Sequence, residues 1–204
     1  MWEFRHNLII EKFADYEDLT LSGVTFIKEE IGELEIRFEN FNEIKFENCH
    51  FNKTIFNNVF FSKIKFINCE LNNVIFTECN FNYVNFENSK LTDTSFTASK
   101  LENIYILETL IQYSKFSTSE IGNSKYDDVK LIENIHYKNK YNNIEFYKCE
   151  FNKDQFQDTR FKKCDLKTSH FKEVEINLDD LITSTLSILN IIEITTDKGI
   201  ILEE

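Results

Sequence analysis

A five-residue period dominates the sequence and constrains its fold more than any other feature. Taking every fifth residue from Leu21 to Leu181 gives 33 positions: seventeen Phe, seven Leu, six Ile, two Tyr and one His. Because 42% of all residues are hydrophobic, chance would place roughly 14 apolar residues at these positions. Five residues match neither the 3.6-residue turn of an α-helix nor the two-residue alternation of a strand. The chain must therefore fold as a repeat structure.

A second column of residues lies two positions before each large one. It holds small or β-branched residues, such as Cys79, Val84 and Ser89, whereas the other three positions of the unit are mostly polar. Each unit is therefore predicted to turn one large and one small side chain inward and three side chains outward. Stacked units of this kind would bury one continuous core.

These units resemble those of the pentapeptide-repeat proteins, whose unit reads small, Asp or Asn, Leu or Phe, polar, polar. The clearest examples are CNFNY at 79–83, VNFEN at 84–88 and CDLKT at 164–168. The resemblance extends from about Ala14 to Leu181. It implies an all-β solenoid, a right-handed quadrilateral β-helix of about eight coils, with a C-terminal helix and short strands after it.

Three parts are expected: an N-terminal cap at 1–13, the β-helix at 14–178 and a capping and dimerisation segment at 179–204. In the last part we expect a helix from Leu181 to Leu189 and strands at 191–195 and 200–202. Two zones depart from the pattern. Residues 29–33 are expected on an irregular open corner, and residues 132–143 are either a ten-residue loop or a looser continuous coil.

The C-terminal segment is unusually apolar for the end of a polar-sided rod. We expect it to join two rods end to end in a homodimer, because a monomeric cap would not shelter all of its apolar side chains. The predicted dimer contacts are Ile182, Leu186, Ile188, Leu189, Ile191 and Ile192.

The formal net charge is −12, with 23 basic and 35 acidic residues, which argues against direct binding of nucleic acid. Residues 1–48 hold 12 acids and 5 bases, and residues 173–204 hold 8 acids and 1 base. Acidic residues from these two segments are the candidate partner-binding set: Asp15, Glu17, Asp18, Glu30, Glu33, Glu35, Glu173 and Glu175. No apolar run is long enough for a membrane span, and the cytoplasm is the expected compartment.

The sequence offers no candidate catalytic residue, cofactor site or metal site. All five cysteines fall in the small inward column, where reduced core thiols are expected. His136 takes the place of a large hydrophobic residue, and we expect either a loop or a hydrogen-bonded core position for it. With only four glycines and no proline, the chain lacks material for a phosphate-binding loop.

A subfamily resemblance provides the functional hypothesis. The segments LDD at 178–180 and SILNI at 187–191 resemble the end of the Qnr-type proteins, acidic rods that bind DNA gyrase and topoisomerase IV. This resemblance implies a DNA mimic that modulates these enzymes or protects them from quinolone-type poisons. No out-of-frame loop is visible, so that no loop residue of the Qnr type has a counterpart here. The alternative is a structural scaffold or regulator that binds an unrelated protein.

Overall fold

Each five-residue unit forms a three-residue strand followed by a left-handed corner. In the unit at 79–83, residues 80–82 are extended and Tyr83 has a φ of 57°. The same conformation recurs at five-residue intervals along the rod. It costs a non-glycine residue about 1–2 kcal/mol. Part of this cost is offset because the backbone N–H of the corner residue forms a hydrogen bond. The Tyr83 N–H donates to the carbonyl of Glu102, 3.2 Å away in the next coil.

The computed structural model describes residues 20–37 and 39–196, and the predicted N-terminal cap at 1–13 lies outside these residues. The chain forms a parallel β-solenoid of about 8 coils. Its strands are β1 Thr20–Ser22, β2 Thr25–Ile27, β3 Glu30–Gly32, β4 Glu35–Arg37, β5 Asn40–Asn42, β6 Lys45–Glu47, β7 His50–Asn52, β8 Ile55–Asn57, β9 Phe60–Ser62, β10 Lys65–Ile67, β11 Glu70–Asn72, β12 Ile75–Thr77, β13 Asn80–Asn82, β14 Asn85–Glu87, β15 Lys90–Thr92, β16 Ser95–Thr97, β17 Lys100–Glu102, β18 Tyr105–Leu107, β19 Leu110–Gln112, β20 Lys115–Ser117, β21 Glu120–Asp127, β22 Lys130–Ile132, β23 Ile135–Tyr137, β24 Lys140–Tyr147, β25 Glu150–Asn152, β26 Gln155–Gln157, β27 Arg160–Lys162, β28 His170–Lys172 and β29 Leu181–Ile182.

Four units close one coil, and strands twenty residues apart pair in parallel, as Phe66 pairs with Phe46 and Phe86. The rod therefore has four sides. Side A contains β1, β5, β9, β13, β17, β27, β29 and the first halves of β21 and β24. Side B contains β2, β6, β10, β14, β18 and the second halves of β21 and β24. Sides C and D are separate sheets that begin with β3 and β4, respectively.

The large inward residues form aromatic columns along the rod, as the period predicts. On side D, the rings of Phe56, Phe76 and Phe96 stack with centroids 5.1 and 4.9 Å apart. The expected column on side A begins differently, since Phe41 and Phe61 meet edge to face at an interplanar angle of 64°. Burial of each such ring contributes about 1.5–3 kcal/mol before ordering costs.

The small inward residues connect successive coils at the corners. The Ser89 hydroxyl accepts a hydrogen bond from the Cys69 N–H at 3.0 Å and donates to the Glu87 carbonyl at 2.9 Å. The Cys79 thiol donates to the Phe56 carbonyl at 3.4 Å. Small side chains with a donor and an acceptor suit this column because they satisfy buried backbone groups where a corner interrupts the sheet.

Both zones that departed from the repeat are regular coils. Residues 132–143 form no loop, since β22, β23 and the start of β24 continue the coil. Residues 29–33 lie on no open corner, because β3 pairs with β7 in the ordinary register. In the second zone, the inward Asn134 and Asn139 side chains donate hydrogen bonds to carbonyls of the preceding coil.

The C-terminal elements lie elsewhere than predicted. Strand β29 still pairs with β27, and a 3₁₀ turn spans Leu178–Asp180. The one α-helix of the described residues, α1, spans Ile188–Thr196, so the expected helix at 181–189 and strand at 191–195 are wrong. Residues 181–186 stay in the coil because Leu181 and Leu186 continue the five-residue column. The expected strand at 200–202 lies outside the described residues.

Candidate protein-binding surfaces

Among the predicted acidic residues near the start of the rod, Glu30, Glu33 and Glu35 are exposed, and the last two are paired with bases. The Glu33 carboxylate lies 3.3 Å from the Lys53 ammonium of the next coil, and Glu35 lies 2.6 Å from Arg37. Glu30 is also exposed, beside His50 in the strand register. Asp15, Glu17 and Asp18 lie outside the described residues.

The acidic residues from the other end do not join this group. Glu173 lies at the same corner of the rod as Glu33, and Glu175 lies at the same position on side D as Glu35, in both cases in a later coil. Each pair is separated by seven coils, which is roughly 34 Å at a strand spacing of 4.8 Å. Glu173 lies 3.9 Å from Lys153. The structure therefore places the candidate acidic set at two ends of the rod.

Opposite charges alternate along much of the surface at a spacing of one coil. Lys63 and Glu43 approach to 2.8 Å, and their hydrogen bond raises the pKa of the Lys63 ammonium. Lys140 and Glu120 approach to 2.7 Å, and this contact lowers the pKa of the Glu120 carboxyl. Exposed pairs of this kind add little stability. They do reduce the net negative potential of the sides.

Helix α1 is docked on the last coil by polar side chains. Ser187 and Asn190 form a capping box. The Ser187 hydroxyl accepts from the Asn190 backbone N–H at 3.1 Å, and the Asn190 side-chain oxygen Oδ1 accepts from the Ser187 backbone N–H at 2.8 Å. The Asn190 amide also donates to the Ser169 carbonyl at 2.6 Å. The Glu193 carboxylate accepts from the Phe171 N–H at 3.0 Å. These bonds cover part of the sheet edge that the last coil would otherwise expose.

The outward face of α1 is apolar. Ile188 is 79% exposed, and Leu189, Ile191 and Ile192 are 38–50% exposed. Ile182 on β29 is 42% exposed, whereas Leu186 packs against the core. The helix thus buries Asn190 and Ile194 but leaves four large apolar side chains exposed.

A buried polar cluster interrupts the aromatic column of side D. His136 stacks between Phe116 and Phe156, and its Nδ1 lies 2.7 Å from the Tyr141 hydroxyl. Its Nε2 makes no hydrogen bond with the described residues and lies 3.9 Å from Asp154 Oδ1. His136 is therefore a core residue. The sequence did not lead us to expect a buried carboxylate at Asp154. Its place in the small inward column, two residues before Phe156, was the available signal.

The Asp154 carboxylate is fully buried but well supplied with donors. It accepts hydrogen bonds from the Asn134 N–H at 3.0 Å, the Asn134 amide at 2.7 Å and the Asn152 N–H at 3.1 Å. Asn139 is likewise buried and donates to the Phe116 carbonyl at 2.8 Å. Inward asparagines thus extend the corner ladders that serine and threonine form elsewhere.

The five cysteines are buried and free, which confirms the expected core thiols. Burial raises the pKa of Cys79 to about 11, of Cys149 to about 12 and of Cys164 to about 11. Within residues 20–37 and 39–196, no three His, Cys, Asp or Glu side chains are grouped closely enough to hold a metal ion. No helix in the same ranges is long and apolar enough to cross a membrane.

Comparisons with known proteins agree with the fold. Residues 39–116 match the family model described as a pentapeptide repeat region. The chain is similar to the crystal structure of HetL from the cyanobacterium Nostoc sp. strain PCC 7120, a pentapeptide-repeat protein involved in regulating heterocyst differentiation. The TM-score is 0.64 at 9% identity, with 89% of this chain and 92% of HetL covered.

It is also similar to trypsin-treated QnrB1, a plasmid-mediated fluoroquinolone resistance protein. There the TM-score is 0.55 at 14% identity, with 89% of this chain and 100% of the other covered. A search of curated proteins gave no match. The resemblance to pentapeptide-repeat proteins is confirmed, and at these identities the structural likeness shows the fold alone.

Proposed function

We propose that this pentapeptide-repeat protein is a non-enzymatic rod that acts by binding another protein. The apolar outer face of α1 carries this proposal, because an exposed apolar patch at the end of a soluble rod is typical of a contact surface. The inward serines, threonines and cysteines, in contrast, are sealed inside the coils and cannot reach a substrate. We place the protein in the cytoplasm, where free thiols such as its five buried cysteines persist.

As the specific partner we propose a type II topoisomerase, DNA gyrase or topoisomerase IV. A negatively charged rod would compete with DNA for the enzyme's positively charged binding surface or protect the enzyme from a quinolone. The net charge of −12 and the exposed acids at both ends support this proposal. The ion pairs between coils oppose it along the middle of the rod.

A gyrase supercoiling assay with and without a quinolone tests the partner. We expect the protein either to inhibit supercoiling or to restore it in the presence of the drug. A Glu30→Gln variant, at an exposed acid with no ion pair among the described residues, should weaken the effect, whereas Glu150→Gln, at an acid in a charge pair with Lys130, should not. No change in either condition would refute the topoisomerase proposal and favour the alternative, a scaffold or regulator with an unrelated protein partner.

We also propose that α1 joins two rods into a symmetric homodimer. Burying several isoleucine and leucine side chains at about 1.5–3 kcal/mol each would outweigh the repulsion of nearby Asp179 and Asp180, which salt screens. Leu186, although predicted to be a contact, packs against the core and is a poor probe of this surface.

Light scattering at micromolar concentration tests the dimer. The Ile188→Glu, Leu189→Glu variant should lower the measured mass to the 24.4 kDa of one chain without changing the β-sheet signal in circular dichroism. Tyr113→Glu, at a side chain that is 50% exposed in the middle of the rod, is the control and should remain dimeric. A wild-type particle of 24.4 kDa would refute the dimer.

A further inference from the structure

Side A carries a groove near its C-terminal end. The groove has a volume of about 450 Å³, and among its lining residues are Gly122, Lys140, Asn142, Arg160, Lys162 and Ile182. Gly122 occupies an outward position where other coils carry a side chain. A Cβ atom there would lie 2.8 Å from Glu102 Oε1, because the Glu102 side chain folds across the glycine. The space above the glycine is thus occupied by the Glu102 carboxylate, which forms part of the acidic end of the groove.

Three cations border this groove, and two of them are unneutralised. Lys140 lies 2.7 Å from Glu120. Arg160 and Lys162 form no ion pair with any side chain in residues 20–37 and 39–196. Some lysines elsewhere on the rod, such as Lys53 and Lys63, meet a glutamate one coil away, whereas others, such as Lys90, make no ion pair with the described residues.

The register makes the charge arrangement locally unfavourable. Lys140 and Arg160 are direct neighbours on the parallel strands β24 and β27. Like charges that face each other across strands destabilise a sheet. Lys45 and Lys65 are another such pair, but Glu47 lies 2.6 Å from Lys45 within the same strand. Lys140 is neutralised by Glu120 in the same way, so what distinguishes the second pair is that its unpaired member, Arg160, lies in the groove beside Lys162.

We propose that this groove binds an acidic segment of a protein partner; the inference rests on the proposed protein-binding function and names the chemistry of one contact. The Arg160 guanidinium can pair with a carboxylate through two parallel hydrogen bonds, and Lys140 and Lys162 add charge on either side. Ile182, 42% exposed, offers an apolar contact at the end of the groove.

The partner's side chains, rather than its backbone, must make the contact. Strands β24 and β27 each have neighbours on both sides, so these two strands offer no open edge to an added strand. Long polyanions such as duplex DNA fit poorly, because the Glu102 and Glu120 carboxylates lie at the opposite end of the same groove. A short segment with a few acidic residues and one apolar residue matches the charges and the size.

Fluorescence anisotropy with the full chain tests the proposal. The probe is a short fluorescein-labelled peptide rich in Glu and Leu, and its counterpart has Gln in place of Glu. We expect the acidic peptide to bind at low salt and the Gln peptide to bind far more weakly. The Lys140→Gln, Arg160→Gln, Lys162→Gln variant should lose about tenfold in affinity, because each exposed charge contact contributes modestly.

Two further variants sharpen the test. Lys63→Gln removes a neutralised lysine from side A and should leave the affinity within about twofold. Arg160→Lys keeps the charge but loses the paired hydrogen bonds, and it should bind with intermediate affinity. Circular dichroism should show the same fold for all variants.

Absence of acidic-peptide binding at low salt, equal affinity of the triple variant, or equally tight binding of duplex DNA would each overturn the inference. The supercoiling assay distinguishes failure of the groove proposal from failure of the proposed topoisomerase-binding function. If the triple variant acts on gyrase as well as the wild-type protein does, only the groove proposal is refuted. Peptide binding without any effect on gyrase would refute only the topoisomerase partner.

Discussion

The buried pair of His136 and Tyr141 should show strong energetic coupling. Burial raises the pKa of the Tyr141 phenol well above its usual value, and the protonated hydroxyl shares a hydrogen bond of 2.7 Å with His136 Nδ1. The other ring nitrogen of His136, Nε2, faces Asp154. Each member of the pair therefore satisfies a buried polar atom of the other.

Removing one member leaves the other unsatisfied. His136→Phe restores the aromatic column between Phe116 and Phe156, but it strands the Tyr141 hydroxyl at a cost of about 1–3 kcal/mol. Tyr141→Phe strands His136 Nδ1 at a similar cost of about 1–3 kcal/mol. The double variant replaces both groups by rings of similar shape, and we expect it to be nearly as stable as the wild type. The coupling energy should therefore exceed about 1 kcal/mol.

Urea denaturation of the four proteins measures this cycle. Tyr126→Phe is the matched control, because Tyr126 is another buried tyrosine and its hydroxyl makes no hydrogen bond with the described residues. This variant should change the free energy of unfolding little. Additive single effects, with a coupling below about 0.5 kcal/mol, would show that the hydrogen bond does not hold the pair together.

Three further predictions test the core, the thiols and the cap. Phe76→Asp should lower the free energy of unfolding by more than about 4 kcal/mol in denaturation experiments, because the charge replaces a fully buried ring. Asn72→Asp, on the outer surface, should lower it by less than about 0.5 kcal/mol. Equal losses would contradict the inward and outward assignment of these side chains. The buried thiols should make the fold less stable as the pH rises from about 9 toward their folded pKa values of about 11–12, because the thiols of the unfolded chain ionise first. At about pH 10 each of these thiols should lower the free energy of unfolding by roughly 1.4 kcal/mol. Cys79→Ala should therefore flatten the slope of unfolding free energy against pH. Asn190→Ala removes both the capping box and the bond to the Ser169 carbonyl and should cost about 1–3 kcal/mol in thermal unfolding, while Thr183→Ala nearby should change little.

The five-residue column alone was sufficient to predict most of the fold. Its frame does not slip between Leu21 and Leu181, so that stacking partners twenty residues apart follow directly. Residues 132–143 were ambiguous because a polar inward residue in sequence does not reveal whether a neighbouring coil supplies a hydrogen-bond partner. For Asn134 and Asn139 the preceding coil supplies such a partner, the carbonyls of Ile111 and Phe116, respectively.

The C-terminal helix was misplaced because two signals competed. Asp179 and Asp180 resemble a helix start, but Leu181 and Leu186 still occupy the core column and keep this stretch in the coil. The decisive local signal was the spacing of Ser187 and Asn190, which forms the capping box once the coil ends. Packing of the repeat therefore outweighed local helix propensity.

The surface was the least predictable part because charge along the sequence differs from charge along the rod. Counting acids by segment suggests a negative end, whereas the twenty-residue period brings Glu33 to Lys53 and Glu43 to Lys63. A continuous DNA-like stripe would need like charges in register on successive coils, and such pairs repel across strands. The chain instead alternates signs over much of its length, and it stacks like charges at Lys140 and Arg160, beside the groove on side A. The net charge of a segment therefore does not describe the charges that a partner would meet on one side of the rod.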